Sequence, residues 1–161
     1  WQHSIEVASI SHVLASHFTK LKSDQATLAG LVHQIGILPI LTLAEENPKI
    51  LEHEAILDKI IQRLHGKVGR AILKAWEFPP ELLDVPLGCT NFTRNESPKA
   101  DYVDVVTVAK LQAYGEGDNP YADLDTAKVP AFQKLGLSHE VDVHHVDDLA
   151  EELEETKQAL S

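Results

Sequence analysis

The chain contains no methionine, one cysteine, few aromatic residues and a shortage of cations. With Cys89 alone, no intrachain disulfide can form and a cysteine-based zinc site is excluded. A reducing, cytoplasmic setting is the expectation. Lys and Arg number 14 against 25 Asp and Glu, giving a net charge of -11. Such a surface attracts nucleic-acid phosphates weakly, so no nucleic-acid partner is expected. The longest apolar run, residues 28–44, is interrupted by His33, Gln34, Gly36 and Pro39. It reads as a buried core segment, and no signal peptide or membrane span is expected. The chain opens at Trp1 inside a helical pattern, without an initiator methionine, which reads as a piece of a longer protein.

Within 161 residues, 43% of them apolar, there is enough material for one real core. His3, Val7, Ile10, Leu14 and Phe18 form a helical stripe over residues 1–19. After a polar link, Ser23 or Asp24 can cap a second helix. That helix carries the most apolar stretch, TLAGLVHQIGILPIL at Thr27–Leu41. Ala26, Ala29, Gly30, His33 and Ile37 share one mostly small face, while Leu28, Leu31, Val32 and Ile35 form a large apolar one. An all-round apolar helix is a buried helix, kinked here near Gly36 and Pro39.

Further helices are expected over 48–64, with Ile50, Leu57, Ile60, Ile61 and Leu64 inward, and from Val68 to Trp76 after a break at His65-Gly66. Pro86–Pro98 reads as loop. Residues 99–114 read as a valine-rich helix held by burial, with Gly115 as its C′ residue. A long acidic loop, a short helix at Pro130–Leu137 and a final helix at 142–159 complete the chain. The last helix has an acidic outer face, including Glu151, Glu152, Glu154 and Glu155. No convincing alternating strand is present, so the fold class is all-α, a compact multi-helix array. Of the nine histidines, His12, His17, His53, His139 and the pair His144-His145 read as packed or solvated residues.

His3, His33 and His65 differ, because each falls at a helix start or on a buried face. The runs W-x-H-S at Trp1–Ser4, LAGLVHQIG at Leu28–Gly36, H-x-x-V-G at His65–Gly69, and Trp76 followed by Phe78-Pro79 occur in that order. This set resembles the HDOD domain, a branch of the HD superfamily, whose best-known members are metal-dependent phosphohydrolases. The resemblance implies an HD-like helical array over residues 1–161, preceded in such proteins by a further helical half. It also implies a place in bacterial signal transduction.

In catalytic HD enzymes a first His, a His-Asp pair and a late Asp bind the metal. His3 matches the first His and His33 the His of the pair. Gln34 stands where the pair's Asp is expected, and Lys110, in VVTVAKLQA, where the late Asp is expected. His65 matches a histidine common in the HDOD branch. A later His-His pair would fall near Pro86–Cys89, where there is none. Divalent cations in phosphohydrolases need anionic oxygens, and an ammonium has three donors and no acceptor. The expectation is a vestigial site of His3, His33, Gln34, His65 and Lys110, without catalysis or cofactor; any metal would rest on His3 and His33. The expected function is a non-catalytic regulatory domain binding a protein or a small-molecule signal. Two alternatives stand beside it: a phosphohydrolase with a degraded metal site, and a scaffold docking a partner through the acidic C-terminal helix. Arg63, Lys67 and Arg70, around His65-Gly66, are a possible anion site at a helix N-terminus.

Overall fold

The computed structural model describes residues 1–114 and 118–161. Among them the fold is all-α, with no strand. The helices are α1 (Gln2–Phe18), α2 (Ser23–Val32), α3 (Ile37–Glu45), α4 (Pro48–Leu51), α5 (Glu54–Ala75), α6 (Val85–Gly88), α7 (Tyr102–Gln112), α8 (Pro130–Leu135) and α9 (Asp147–Leu160). Short 3₁₀ turns occur at Pro80–Leu82, Thr126–Lys128 and Val143–His145. The C′ position expected at Gly115 lies outside the described residues.

The centre of the fold is α7, every residue of which is buried. Its β-branched residues oppose helix formation, and burial against α1, α2 and α8 overrides them. A capping box fixes its start: the Asp104 N–H donates to Asp101 Oδ1 and the Asp101 N–H to Asp104 Oδ2, each at 3.0 Å. The Asp104 carboxylate is itself buried. Lys134 Nζ from α8 lies 3.2 Å from its Oδ1, and Arg94 lies 3.6 Å from the same oxygen. Two separate segments are thereby tied to the start of α7.

Helix α1 follows its stripe: Val7, Ile10 and Leu14 are fully buried. It lies against α2, α7 and α9. The crossing with α2 depends on Gly30, where an added Cβ would sit 2.5 Å from the Ala8 Cα. The small face of α2 is therefore the inward one. Leu28, Leu31 and Ile35, expected inside, are half-buried, because close backbone approach with α1 is possible only on the small side. Neither Ser23 nor Asp24 caps α2; Lys22 occupies the N-cap without a side-chain bond. By length and composition Ser23–Glu45 is apolar enough to cross a membrane, and 39% of its most apolar window is buried. It breaks at His33–Gly36 into α2 and α3.

The expected break at His65-Gly66 does not exist. Helix α5 runs unbroken for 22 residues, and α4 before it is one turn. Gly66 and Gly69 serve interhelical contact: a Cβ on Gly66 would lie 2.9 Å from the Leu87 Cα, and one on Gly69 2.7 Å from the Pro86 Cβ. That contact is made by α6, inside a stretch expected to be loop. Leu64, expected inward, is 44% exposed. The end of α5 is closed by a Schellman pattern: Phe78 N–H to Leu73 O (3.0 Å) and Glu77 N–H to Lys74 O (3.1 Å). Glu77 takes the left-handed conformation there, φ 57°.

The last helix begins at Asp147, after a 3₁₀ turn, and buries Leu149 and Leu153 against α1. Polar ties join them. His144 Nε2 lies 2.9 Å from Glu6 Oε1, Lys157 Nζ 2.7 Å from Glu6 Oε2, and His17 Nε2 2.5 Å from Glu152 Oε2. His17 is exposed, as a solvated histidine would be, while His144, read as part of a solvated face, is half-buried between Glu6 and Asp142.

Candidate functional site

Three histidines and one lysine from four helices meet beside α7. His3 comes from the first turn of α1, His33 follows the last residue of α2, His65 lies midway along α5, and Lys110 stands in the last turn of α7. Glycines permit the gathering. Gly30 brings α1 against α2, and a Cβ on Gly36 would collide with the carbonyl of His65 and the amide of Gly69.

His33 is fully buried. Its Nδ1 is 2.6 Å from the Gly30 carbonyl, which can only accept, so Nδ1 carries the proton in the neutral ring and Nε2 keeps its lone pair. Burial pushes the pKa of His33 down to about 3; the charges of Lys110, His3 and His65 push the same way, and the Gly30 bond pushes back. His65 is depressed first by burial and then by Lys110. His3 is lowered by burial and then by Lys110, with Glu6 opposing. Three buried ring nitrogens, His3 Nε2, His33 Nε2 and His65 Nδ1, have no hydrogen-bond partner among the described residues.

Lys110 is buried, only 3% exposed. Its Nζ donates to the Cys89 carbonyl at 3.1 Å and lies over two rings, 5.4 Å from the Phe92 centroid and 5.7 Å from that of Tyr121. Tyr114 continues this wall: its ring centroid is 5.2 Å from His3 and 5.8 Å from Tyr121. His3 and His33 rings are 5.8 Å apart.

Four of the five residues read as a vestigial site therefore come together, and Gln34 sits half-buried next to His33. The aromatic wall and the Cys89 carbonyl were not legible in the sequence, because loops bring them to Lys110 from separate places. The anion site proposed for Arg63, Lys67 and Arg70 is contradicted. An uninterrupted helix has no free amides at His65-Gly66, and Arg70 is engaged with Asp84 at 2.8 Å.

The cluster offers a divalent cation no anionic ligand. Its imidazoles bring no negative charge, the residue beside His33 is a neutral amide, and the positive charge of Lys110 acts on all three rings. Among the described residues no group of three or more His, Cys, Asp or Glu side chains is disposed to hold a metal ion.

A family profile for the HDOD domain matches residues 1–87, the segment that supplies His3, His33, Gln34 and His65. The chain belongs to the HDOD family. Among solved structures, it is similar to a candidate metal-dependent phosphohydrolase from Shewanella amazonensis SB2B. The identity is 27% and the TM-score 0.83; the match covers all of this HDOD chain and 58% of the other. The chain thus spans little more than half the length of that neighbour. Both comparisons support a relation to the HD superfamily. No curated protein matches.

Proposed function

We propose that this HDOD chain is a non-catalytic regulatory domain acting in bacterial cytoplasmic signal transduction, through binding of a protein or a small-molecule signal. The observation that carries this reading is Lys110. Its ammonium is near enough to His3, His33 and His65 for its charge to lower the pKa of each, and the Cys89 carbonyl is its acceptor. In this reading the lysine supplies from within the chain the positive charge that a metal ion supplies in a catalytic relative. The cluster then stabilises the packing of α1, α2, α5 and α7 rather than performing hydrolysis. The purified protein should carry no stoichiometric metal and should not hydrolyse a generic phosphoester or a cyclic dinucleotide with Mn²⁺ or Mg²⁺. Metal-dependent turnover that disappears in His33→Ala would overturn the reading.

A second reading has its own support. The three unpartnered ring nitrogens and the description of the Shewanella amazonensis SB2B neighbour favour a phosphohydrolase with an altered metal site on His3, His33 and His65. The same assay separates the two. The double variant Gln34→Asp/Lys110→Asp sharpens the test: it should acquire Mn²⁺ binding that the parent lacks, read as a metal-dependent rise in melting temperature.

A further inference from the structure

Helix α5 carries five of the 14 cations of this acidic chain: Lys59, Arg63, Lys67, Arg70 and Lys74. Spacings of four residues place Lys59, Arg63 and Lys67 in one row, and Lys74 continues it. All four are exposed, and among the described residues none makes an ion pair. Beside the row stand Ile56 and Leu64, 50% and 44% exposed. The helix rests on α3, α4 and α6, so this side is open.

Helix α9 shows the complementary pattern. Asp147, Asp148, Glu151, Glu154 and Glu155 are exposed and, among the described residues, unpaired. Only Glu152 of the acidic set is engaged, turned toward His17 and His12 on α1. At 1.5 Å per residue, the rows Lys59–Lys67 and Asp147–Glu155 are each about 12 Å long. Their charges are opposite, and Lys74 extends the basic row beyond that length.

We propose that the basic row of α5 docks the acidic α9 of a second copy of this chain. The contact is head-to-tail, so each copy offers one face of each kind and the assembly is a ring or an open chain. Exposed ion pairs are individually weak, so the association is a concentration- and salt-dependent one.

Sedimentation velocity across a concentration series tests this. The wild type should associate at about 50 mM salt and lose at least about tenfold in association constant at about 500 mM. Lys59→Glu/Arg63→Glu/Lys67→Glu should be monomeric, as should Glu151→Lys/Glu154→Lys/Glu155→Lys. Mixing these two variants should restore association, because each then meets an oppositely charged row. Lys20→Glu/Lys99→Glu/Lys128→Glu, with the same change in net charge at other exposed sites, should behave as wild type. A wild type that stays monomeric at both salt concentrations overturns the proposal. So does association that survives either reversal, or a mixture that fails to associate. Binding of wild type to phosphatidylserine vesicles without self-association assigns the row to a membrane and equally overturns it.

Discussion

Protonation of His33 gives the most direct test of how this core is built. The ring is neutral in the fold, with a pKa of about 3, whereas in the unfolded chain it titrates near 6.5. Above pH 6.5 neither state holds the extra proton, and the group does not discriminate. Below it the unfolded chain binds a proton that the folded one refuses, so stability falls as the pH falls. The slope is about 1.4 kcal/mol per pH unit, which gives a loss of about 3 kcal/mol by pH 4.5. That is a large share of the 5–15 kcal/mol or so that holds a typical domain together. For a chain of this size the melting temperature should drop by roughly 6–12 °C from this group alone. His3 and His65, lowered for the same reason, push in the same direction. The assay is urea unfolding of wild type and His33→Gln at pH 7.5, 6.0, 5.0 and 4.5. The amide does not titrate, while the carboxylates titrate equally in both proteins and cancel from the difference. Wild type should start more stable and converge on or cross the variant as the pH falls. Parallel curves would refute the burial assigned to His33 and the neutral-ring hydrogen bond to Gly30 with it.

Two backbone substitutions form a matched pair. Glu77 is exposed and held at φ 57°, so Glu77→Gly should relieve a left-handed strain of about 1–2 kcal/mol, less about 0.5–1 kcal/mol of chain entropy. Gly136, at φ 66° with no atom within 4 Å of a built Cβ, should lose about 1 kcal/mol on replacement by Ala, from backbone strain alone. Thermal melting of both decides it, and a Glu77→Gly protein no more stable than wild type would go against the reasoning. Asp104→Ala leaves Lys134 and Arg94 with a lost partner in a buried setting and should cost about 3–5 kcal/mol by chemical denaturation.

Much of the architecture was legible because burial imposes a pattern. The stripe on α1 and the valines of α7 marked core faces directly. The positions His3, His33, His65 and Lys110 were legible as a set, since their order and local motifs survive in the sequence even though they come from four helices. What misled was glycine. His65-Gly66 looks like punctuation when propensity alone is weighed, yet Gly66 lies mid-helix because α6 passes too close for a side chain. On α2 the small face packs against α1, while the large face, expected to be buried as well, is half-buried at Leu28, Leu31 and Ile35. Phe92 and Tyr121 were invisible as partners of Lys110 because no periodicity links them to it. The tie between His144 and Glu6 spans 138 residues, beyond any local signal.

That long tie has a consequence for how the protein is made. Helix α1 is synthesised before α9, the helix that covers one of its faces. At about 5–20 residues per second, on the order of 10 s separates the emergence of Glu6 from that of His144 and Lys157. During that interval the apolar surface reserved for Leu149 and Leu153 is uncovered. This part of the fold is therefore complete only once α9 has emerged, and a translation product stalled before Asp147 would present that surface to chaperones and proteases.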